Sequence, residues 1–249
     1  MGGRKLFCLM EGFMLEHQIK MGRDIFFELL ANQNLLVKKR KRRVFTTQSF
    51  HWFRKYPNLI RDYVPSKPNE LWVSDITYWK INTGFVYISL VTDVFSHKIV
   101  GAHVAQTLEG IETKKALQNA LADLKEPAKN LIHHSDRGIQ YCCSEYVKLL
   151  QDNNINISMT ENGDPLENAI AERVNGILKE EYLDGYYIDN IAQAKELLSK
   201  VITLYNEERP HMSINNLTPE NVHVNNIKTE RQWKNYWTRK TEPVNLFQD

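Results

Sequence analysis

The chain has 249 residues, of which 42% are hydrophobic and 25% are charged, a balance typical of a soluble globular protein. It contains no apolar run of the ~20 residues that a membrane span needs, and its first residues lack the long apolar stretch of a signal peptide. Its 3 cysteines form no CxxC pair and no even set. This pattern indicates a reducing cytoplasm and argues against disulfides and structural zinc.

The net charge of +2 is divided unevenly along the chain. Residues 1–67 carry a net charge of +9, whereas residues 68–249 carry −7. A basic arm on an acidic body predicts that the arm contacts a polyanion such as nucleic acid. An acidic body that also met DNA would need cations to offset its own charge.

The N-terminal arm begins with apolar residues at helical spacing, which predict a helix over residues 13–36. Six consecutive cations follow: Lys38, Lys39, Arg40, Lys41, Arg42 and Arg43. Such a run is either a solvated linker or a segment that contacts DNA phosphates. The second interpretation is favoured because the aromatic-rich stretch FHWFRKY follows at once.

Prolines at positions 57, 65 and 68 then mark a boundary. We therefore predict three regions: a basic N-terminal region over residues 1–67, a core over residues 68–222 and a polar tail over residues 223–249.

From Leu71 the pattern changes to that of β-strands. The stretches LWVSDITYWK, GFVYISLVTD and HKIVGAHVAQ predict three strands, and their short connections predict antiparallel hairpins. A helix with an N-cap at Thr107 then leads to a short strand over residues 130–134, which predicts a crossover and parallel pairing.

A further helix, EYVKLLQDN, follows Ser144 as its N-cap, and residues 155–159 predict a fifth strand. The order of elements is β-β-β-α-β-α-β-α. It predicts an α/β fold in which helices flank a mixed five-stranded sheet.

The next helix begins with a recognisable capping sequence. Asp164 suits the N-cap, Pro165 the first helical position and Glu167 the third, as in a capping box. At 100° per residue an apolar stripe occupies one side of this helix, and Glu172 lies on the opposite side. Three polar side chains share the face of Glu172: Asn168, Asn175 and Lys179. A last helix is predicted from Asn190 to about Asn206, and Pro210 and Pro219 are expected to end regular structure after it.

Three acids stand out for their chemistry: Asp75, Asp136 and Glu172. The first two lie at strand ends and the third lies on a helix, an arrangement with which proteins hold divalent metal against a phosphodiester. Mg²⁺ prefers oxygen ligands, and two ions ~3.5–4 Å apart can activate the attacking oxygen and stabilise the leaving one.

Each acid also has a structural alternative, because an aspartate near a strand end is more often a turn residue. Asp93 is interpreted in this way, and Glu167 is assigned to the helix cap rather than to metal. His133 and His134 lack partners at zinc spacing, and strand alternation directs only one of them toward a cleft.

Five motifs together resemble the OrfB-type transposases of the insertion sequence 3 family, whose core is shared with retroviral integrases. They are VSDITY, VTDVFSHKIVG, HHSDRGIQY, ENAIAERVNGILKEE and YNEERPH, and the match covers roughly residues 70–222. The 35 residues between Asp136 and Glu172 match the D,D(35)E pattern of that family. The resemblance implies a ribonuclease-H-like fold, a catalytic triad of Asp75, Asp136 and Glu172, and two Mg²⁺ or Mn²⁺ ions.

The resemblance also implies a reaction and its partners. Water would cut the DNA at the end of the element, and the freed 3′-hydroxyl would then attack another phosphodiester. Asn168, Asn175 and Lys179 are expected to contact DNA near the scissile phosphate, while the roles of Arg209 and His211 in YNEERPH stay open. Expected partners are the terminal inverted repeats, target DNA, further copies of the chain and an OrfA-type protein.

The stretch GRDIFFELLANQNLLVKKRKRR resembles the end of the helix-turn-helix region that precedes this core in the family. The chain begins inside that region, which predicts a shortened start. Nothing in the sequence resembles OrfA.

Two other functions remain open at this stage. One is a nuclease of the same fold that hydrolyses nucleic acid without joining strands. The other is a truncated, non-catalytic regulator that binds DNA or a partner protein.

Overall fold

A mixed sheet of five strands organises the chain, in the spatial order β3-β2-β1-β4-β5. The structure, a computed structural model, describes residues 2–36, 51–124, 126, 130–161 and 168–229. Strands β1 (Leu71–Ile81), β2 (Gly84–Asp93) and β3 (Ile99–Ala105) form an antiparallel meander. Strands β4 (Ile132–Ser135) and β5 (Asn156–Met159) continue the sheet in parallel with β1. The predicted order and directions of the strands are therefore confirmed.

Helices cover both faces of the sheet, and each face has its own apolar core. On one face α3 (Gly110–Ala122), the single turn α4 (Ile139–Cys142) and α5 (Ser144–Asp152) pack around Trp72 and Leu131. On the other face α6 (Ala169–Leu178) and α7 (Ile191–Thr203) pack around Trp79 and Ile88. One π-helical turn, Lys179–Leu183, follows α6, and another, Leu204–Glu208, follows α7.

The ends of the described chain are helical as well. Helices α1 (Gly3–Glu16) and α2 (Arg23–Asn32) precede the sheet, and α8 (Pro219–Asn225) follows α7. None of the helices in the described residues combines the length and apolar character that a membrane span requires.

Several predicted boundaries are wrong. The predicted helix over residues 13–36 is two helices, because Gln18 adopts the left-handed conformation (φ 55°) that ends α1. Helix α3 begins after Glu109 and not after Thr107, and α5 begins after Cys143. Pro219 does not end regular structure, since it occupies the first position of α8, where its missing N–H costs no hydrogen bond.

Other predicted boundaries are confirmed or lie outside the described residues. Asn190 caps α7, as its side chain accepts a hydrogen bond from the backbone N–H of Gln193 at 3.1 Å. The capping sequence at Asp164, Pro165 and Glu167 and the cations of residues 38–43 lie outside the described residues. The division into regions at residues 67 and 222 stays a prediction.

Gly101 in β3 allows α3 to approach the sheet closely. A Cβ atom at this position would lie 2.2 Å from the carbonyl oxygen of Ala116 and 2.7 Å from the Cβ of Ala120. Backbone cannot yield as a flexible side chain does, so even a methyl group there overpacks the interface between α3 and the sheet.

We predict that Gly101→Ala lowers the free energy of unfolding by about 1–3 kcal/mol. Chemical denaturation of the wild type and the variant measures this difference. Gly185→Ala is the matched control, because no atom lies within 4 Å of a Cβ built at Gly185. Equal stability of Gly101→Ala and wild type would contradict the prediction.

Candidate active site

The register of the sheet brings Asp75 and Asp136 side by side. Strand β1 pairs with β4 in parallel, and the last pair joins Val73 to His134. Continuing this register by two residues places Asp75 beside Asp136, just beyond the end of β4. Asp136 therefore follows a strand end as predicted, whereas the predicted strand-end position of Asp75 is wrong: Asp75 lies inside β1, because the pairing with β2 continues to Ile81. Because side chains alternate along a strand, both carboxyl groups lie on the same face of the sheet.

Hydrogen bonds orient the carboxyl group of Asp75. The side-chain amide of Asn175 donates to Oδ2 at 2.7 Å, and the backbone N–H of Ile76 donates to Oδ1 at 2.9 Å. Asn175 belongs to α6, so this contact ties the carboxyl group of β1 to the helix that carries Glu172.

Asp136 is held by the loop that follows it. The backbone N–H of Gly138 donates to Oδ1 at 2.9 Å, and a Cβ at Gly138 would lie 2.9 Å from the same oxygen. A side chain at position 138 would crowd this carboxylate oxygen. Burial raises the pKa of Asp136, while the Gly138 hydrogen bond and the nearby His51 lower it.

The charges of Asp136 and Glu172 both act on Asp75. The pKa of Asp75 is raised to about 7, chiefly by burial and next by the negative charge of Asp136. The hydrogen bonds from Asn175 and Ile76 act in the opposite direction, and the charge of Glu172 adds a smaller upward effect. Glu172 itself lies exposed in the first turn of α6.

The donor chemistry of these acids suits a hard divalent cation. Three carboxylates offer only oxygen ligands, and a cation among them would offset the burial and the negative charge of Asp136 that raise the pKa of Asp75. As the side chains lie, no three His, Cys, Asp or Glu residues of the described ranges are arranged as a metal site. The match between these acids and a divalent cation therefore rests on charge and ligand type alone. The ligand roles of the three acids stay a prediction.

The polar face of α6 lies against β1. Asn168 donates to the backbone carbonyl of Ser74 at 3.1 Å, and Lys179 contacts both the carbonyl of Tyr78 and its ring, whose centroid lies 4.2 Å from Nζ. The sequence placed Asn168, Asn175 and Lys179 opposite the apolar stripe, yet all three are buried, because β1 covers this side of the helix. A DNA contact by these residues stays a prediction.

His133 and His134 face opposite sides of β4 and both support the sheet. Nε2 of His133 lies 2.7 Å from Ser74 Oγ and 3.0 Å from Tyr146 OH, and burial lowers its pKa to about 3, which keeps it neutral. Nδ1 of His134 lies 2.8 Å from Ser158 Oγ.

Asp93 is a turn residue, as predicted. Its carboxylate accepts hydrogen bonds from the backbone N–H groups of Asn69 and Ser96, each at 2.8 Å, and from Ser96 Oγ at 2.6 Å. It is fully buried at the end of β2.

The motif YNEERPH secures the turn that follows α6. Arg209 is almost fully buried and donates to both carboxylate oxygens of Glu181, at 2.9 and 2.8 Å. His211 lies 3.0 Å from Arg209 through Nε2. Glu181 was missed by sequence reasoning, because nothing in its local pattern distinguishes it from the neighbouring Glu180.

His51 was also missed. One of its ring nitrogens, Nε2, lies 2.8 Å from the backbone carbonyl oxygen of Arg137, the residue after Asp136. The aromatic stretch around it was read only as support for a phosphate-contacting arm, since 84 residues separate His51 from Asp136 in the chain.

Comparisons with known proteins agree with this geometry. The family described as integrase core domain matches residues 65–165 and, in a second form, residues 153–219. The chain is 34% identical to the insertion element IS600 uncharacterized 31 kDa protein of Shigella sonnei, over 83% of this chain and 76% of that protein. It is 31% identical to the transposase for insertion sequence element IS629 of Shigella sonnei, over 79% of this chain and 66% of the relative.

A third relative is the transposase InsF for insertion sequence IS3A of Escherichia coli K12. It is 30% identical over 80% of this chain and 69% of its own length. The fold and these matches define an integrase-core protein. Within that class, the chain belongs to the insertion sequence 3 family of transposases.

Solved structures show the same fold. A chain of the simian T-cell lymphotropic virus intasome in complex with PP2A regulatory subunit B56 gamma matches with a TM-score of 0.57 and 19% identity, over 74% of this chain and 64% of that one. The HTLV-2 integrase catalytic core domain in complex with magnesium matches with a TM-score of 0.50 and 20% identity, over 63% of this chain and 97% of that one. The predicted ribonuclease-H-like fold is confirmed.

The coupling of the three acids predicts how substitutions shift the pKa of Asp75 in the metal-free protein. Asp136→Asn should lower it below about 7, because the largest nearby negative charge is removed. Glu172→Gln should lower it by less, because its effect is the weaker of the two. Carboxyl NMR titration in the presence of a chelator measures the shift.

Glu196→Gln is the control for this titration. Glu196 lies on the exposed side of α7 and pairs with Lys200, so its loss should leave the pKa of Asp75 unchanged. If the pKa of Asp75 is the same in Glu172→Gln as in wild type, Glu172 lies outside the site.

Proposed function

We propose that the chain is the catalytic subunit of an insertion-sequence transposase and performs DNA strand cleavage followed by strand transfer. The observation that carries this proposal is the electrostatic coupling of Asp75, Asp136 and Glu172 at one end of the parallel strands of an integrase core. Phosphoryl transfer needs little from a protein beyond positioning and charge, and these acids supply both.

We also propose that Asp75, Asp136 and Glu172 hold divalent metal, Mg²⁺ or Mn²⁺, with two ions in the complete site. When bound, such ions activate the attacking oxygen and stabilise the leaving one. The structurally similar HTLV-2 integrase core is a magnesium complex, which makes the same cation reasonable for this chain.

The protein's own contribution is to fix the ligands before the substrate arrives. Asn175 and the backbone of Ile76 hold the carboxyl group of Asp75, and Gly138 holds that of Asp136. Preorganised groups of this kind lose little orientational freedom during reaction, which lowers the barrier.

DNA is the proposed substrate, as terminal inverted repeats of the element and as target DNA. The cations of residues 38–43 are proposed to add sequence-independent affinity, and Asn168, Asn175 and Lys179 to act near the scissile phosphate. Similarity to an intasome chain supports a homo-oligomer on DNA, and an OrfA-type protein is a further proposed partner.

Strand transfer separates this proposal from its nearest competitor, a nuclease of the same fold. A labelled donor end joined to an unlabelled duplex supports the transposase, whereas cleaved but unjoined donor supports the nuclease. A chain that only binds the ends would be the regulator.

We predict that Glu172→Gln abolishes metal-dependent cleavage and joining while leaving the fold intact. Glutamine keeps the size of the side chain but loses the charge that holds a hard cation. The loss should exceed the roughly 10–100-fold that removal of an outer-sphere partner costs a metal site. The assay uses a labelled inverted-repeat duplex with Mg²⁺ or Mn²⁺.

Two controls accompany this assay. Thermal melting checks that the variant is folded, and Glu196→Gln removes an equivalent exposed charge from α7. Cleavage by Glu172→Gln at the wild-type rate would refute the role of this residue.

We further predict that replacing all six cations of residues 38–43 with glutamine makes DNA binding less dependent on salt. Each lost phosphate contact should reduce the slope of log K against log salt by ~0.9. Replacement of Lys195 and Lys200 on α7 serves as the control. A slope that is unchanged in the six-residue variant would assign the run to a solvated linker.

A further inference from the structure

Residues 51–61 form an extended segment that runs beside the outer strand of the sheet and ends at the candidate active site. The backbone N–H of Met159 in β5 donates to the carbonyl of Pro57 at 3.3 Å, and that of Leu59 donates to Ser158 Oγ at 2.9 Å. Arg61 pairs with Glu161 at 2.8 Å. The segment therefore has a defined position against β5.

His51 fixes the other end of this segment to the loop that carries Asp136. Its Nε2 lies 2.8 Å from the carbonyl oxygen of Arg137. Trp52 is the next residue, and consecutive Cα atoms lie about 3.8 Å apart, so the backbone of Trp52 lies beside this end of the segment.

The indole of Trp52 is held on one side and open on the other. Its ring stacks on that of Phe53, with centroids 4.6 Å apart and 19° between the planes, and Phe53 packs against the apolar core. Yet 88% of Trp52 is exposed, although tryptophan is among the more buried residues on average. The chain thus presents a supported, solvent-facing aromatic surface.

Cations follow this aromatic surface in the chain. Arg54 and Lys55 are exposed on the same segment. Exposed aromatic rings next to cations are the chemistry that binds single-stranded nucleic acid, with bases stacked and phosphates neutralised.

We propose that Trp52 stacks on an unpaired DNA base beside the scissile phosphate, so that the preferred substrate is a DNA end whose terminal base pairs are open. This inference rests on the proposed function and specifies its substrate. Stacking tolerates any base, because every base has a π-face. It therefore needs no base-specific hydrogen bond from the segment.

The test uses the full chain, a chelator to prevent turnover, and two duplexes of equal length. One carries two unpaired nucleotides at its 3′ end, with 2-aminopurine as the outer one, and the other is fully paired. Fluorescence of 2-aminopurine reports stacking, and fluorescence anisotropy gives Kd for both duplexes. The variants are Trp52→Ala, Trp52→Phe and, as a control, Tyr187→Ala, since Tyr187 is 92% exposed in the loop before α7.

We expect wild type to quench the 2-aminopurine and Trp52→Ala to lose that quenching. Kd for the open-ended duplex should rise about 5- to 150-fold in Trp52→Ala, while Kd for the paired duplex stays unchanged. Trp52→Phe should retain most of both effects, and Tyr187→Ala should behave as wild type. Because Trp52 is exposed, the melting temperature of Trp52→Ala should equal that of wild type.

Three results of the DNA-binding measurements would overturn the inference. They are an absence of quenching by wild type, wild-type quenching and affinity in Trp52→Ala, and an equal loss of affinity for both duplexes. Loss of self-association in Trp52→Ala with unchanged DNA binding, measured by sedimentation, would instead assign the indole to a protein contact and also overturn it.

Failure of the proposed function is read separately, from cleavage and joining by wild type with Mg²⁺. If quenching depends on Trp52 but the wild type cleaves DNA without joining it, the stacking inference stands and strand transfer is rejected. If Trp52→Ala cleaves and joins DNA normally and quenches as wild type does, the proposed transposase function stands and the stacking inference is rejected.

Discussion

Desolvation of two neighbouring carboxylates, to which the negative charge of one adds its effect on the other, is the constraint on which this structure depends. Asp75 and Asp136 are brought together by the register of β1 and β4: Asp75 is part of β1, and Asp136 directly follows β4. Burial and mutual charge raise the pKa of Asp75 to about 7, so the protein alone stabilises the ionised pair poorly. The donors at Asn175, Ile76 and Gly138 offset part of this cost, and a divalent cation is the natural means of offsetting the rest.

Placement of Glu172 depends on how α6 is attached to the sheet. The helix contacts β1 through three buried polar side chains, Asn168, Asn175 and Lys179, whose partners are backbone carbonyls, a carboxylate and an aromatic ring. Directional bonds of this kind fix the rotation of α6 about its own axis and its position along β1 more closely than apolar contacts alone. The ion pair between Arg209 and Glu181 then holds the π-helical turn at the end of α6.

The strands could be predicted from the sequence, because their period of two is a local pattern. The three acids were selected by residue type, by position and by the 35-residue spacing of the family they resemble, and their roles stay a prediction. The contacts of α6 could not. A helical wheel shows that Asn168, Asn175 and Lys179 share a face, but not that β1 covers it. The helix break at Gln18 was missed since a left-handed residue that is not glycine leaves little trace in the sequence. His51 and Glu181 act through partners 86 and 28 residues away, a relation that no local pattern encodes.

Charge also explains why the segment at the rim of the site matters. Residues 68–249 carry a net charge of −7, so a DNA backbone meets repulsion over much of this region. Attraction must come from bound cations, from basic segments or from contacts that do not depend on charge. Residues 51–61 offer the last two together, since Arg54 and Lys55 flank the supported indole of Trp52 beside the loop of Asp136. Stacking is insensitive to the charge of the acidic body, so an aromatic contact at this place can hold a DNA end where long-range electrostatics oppose its approach.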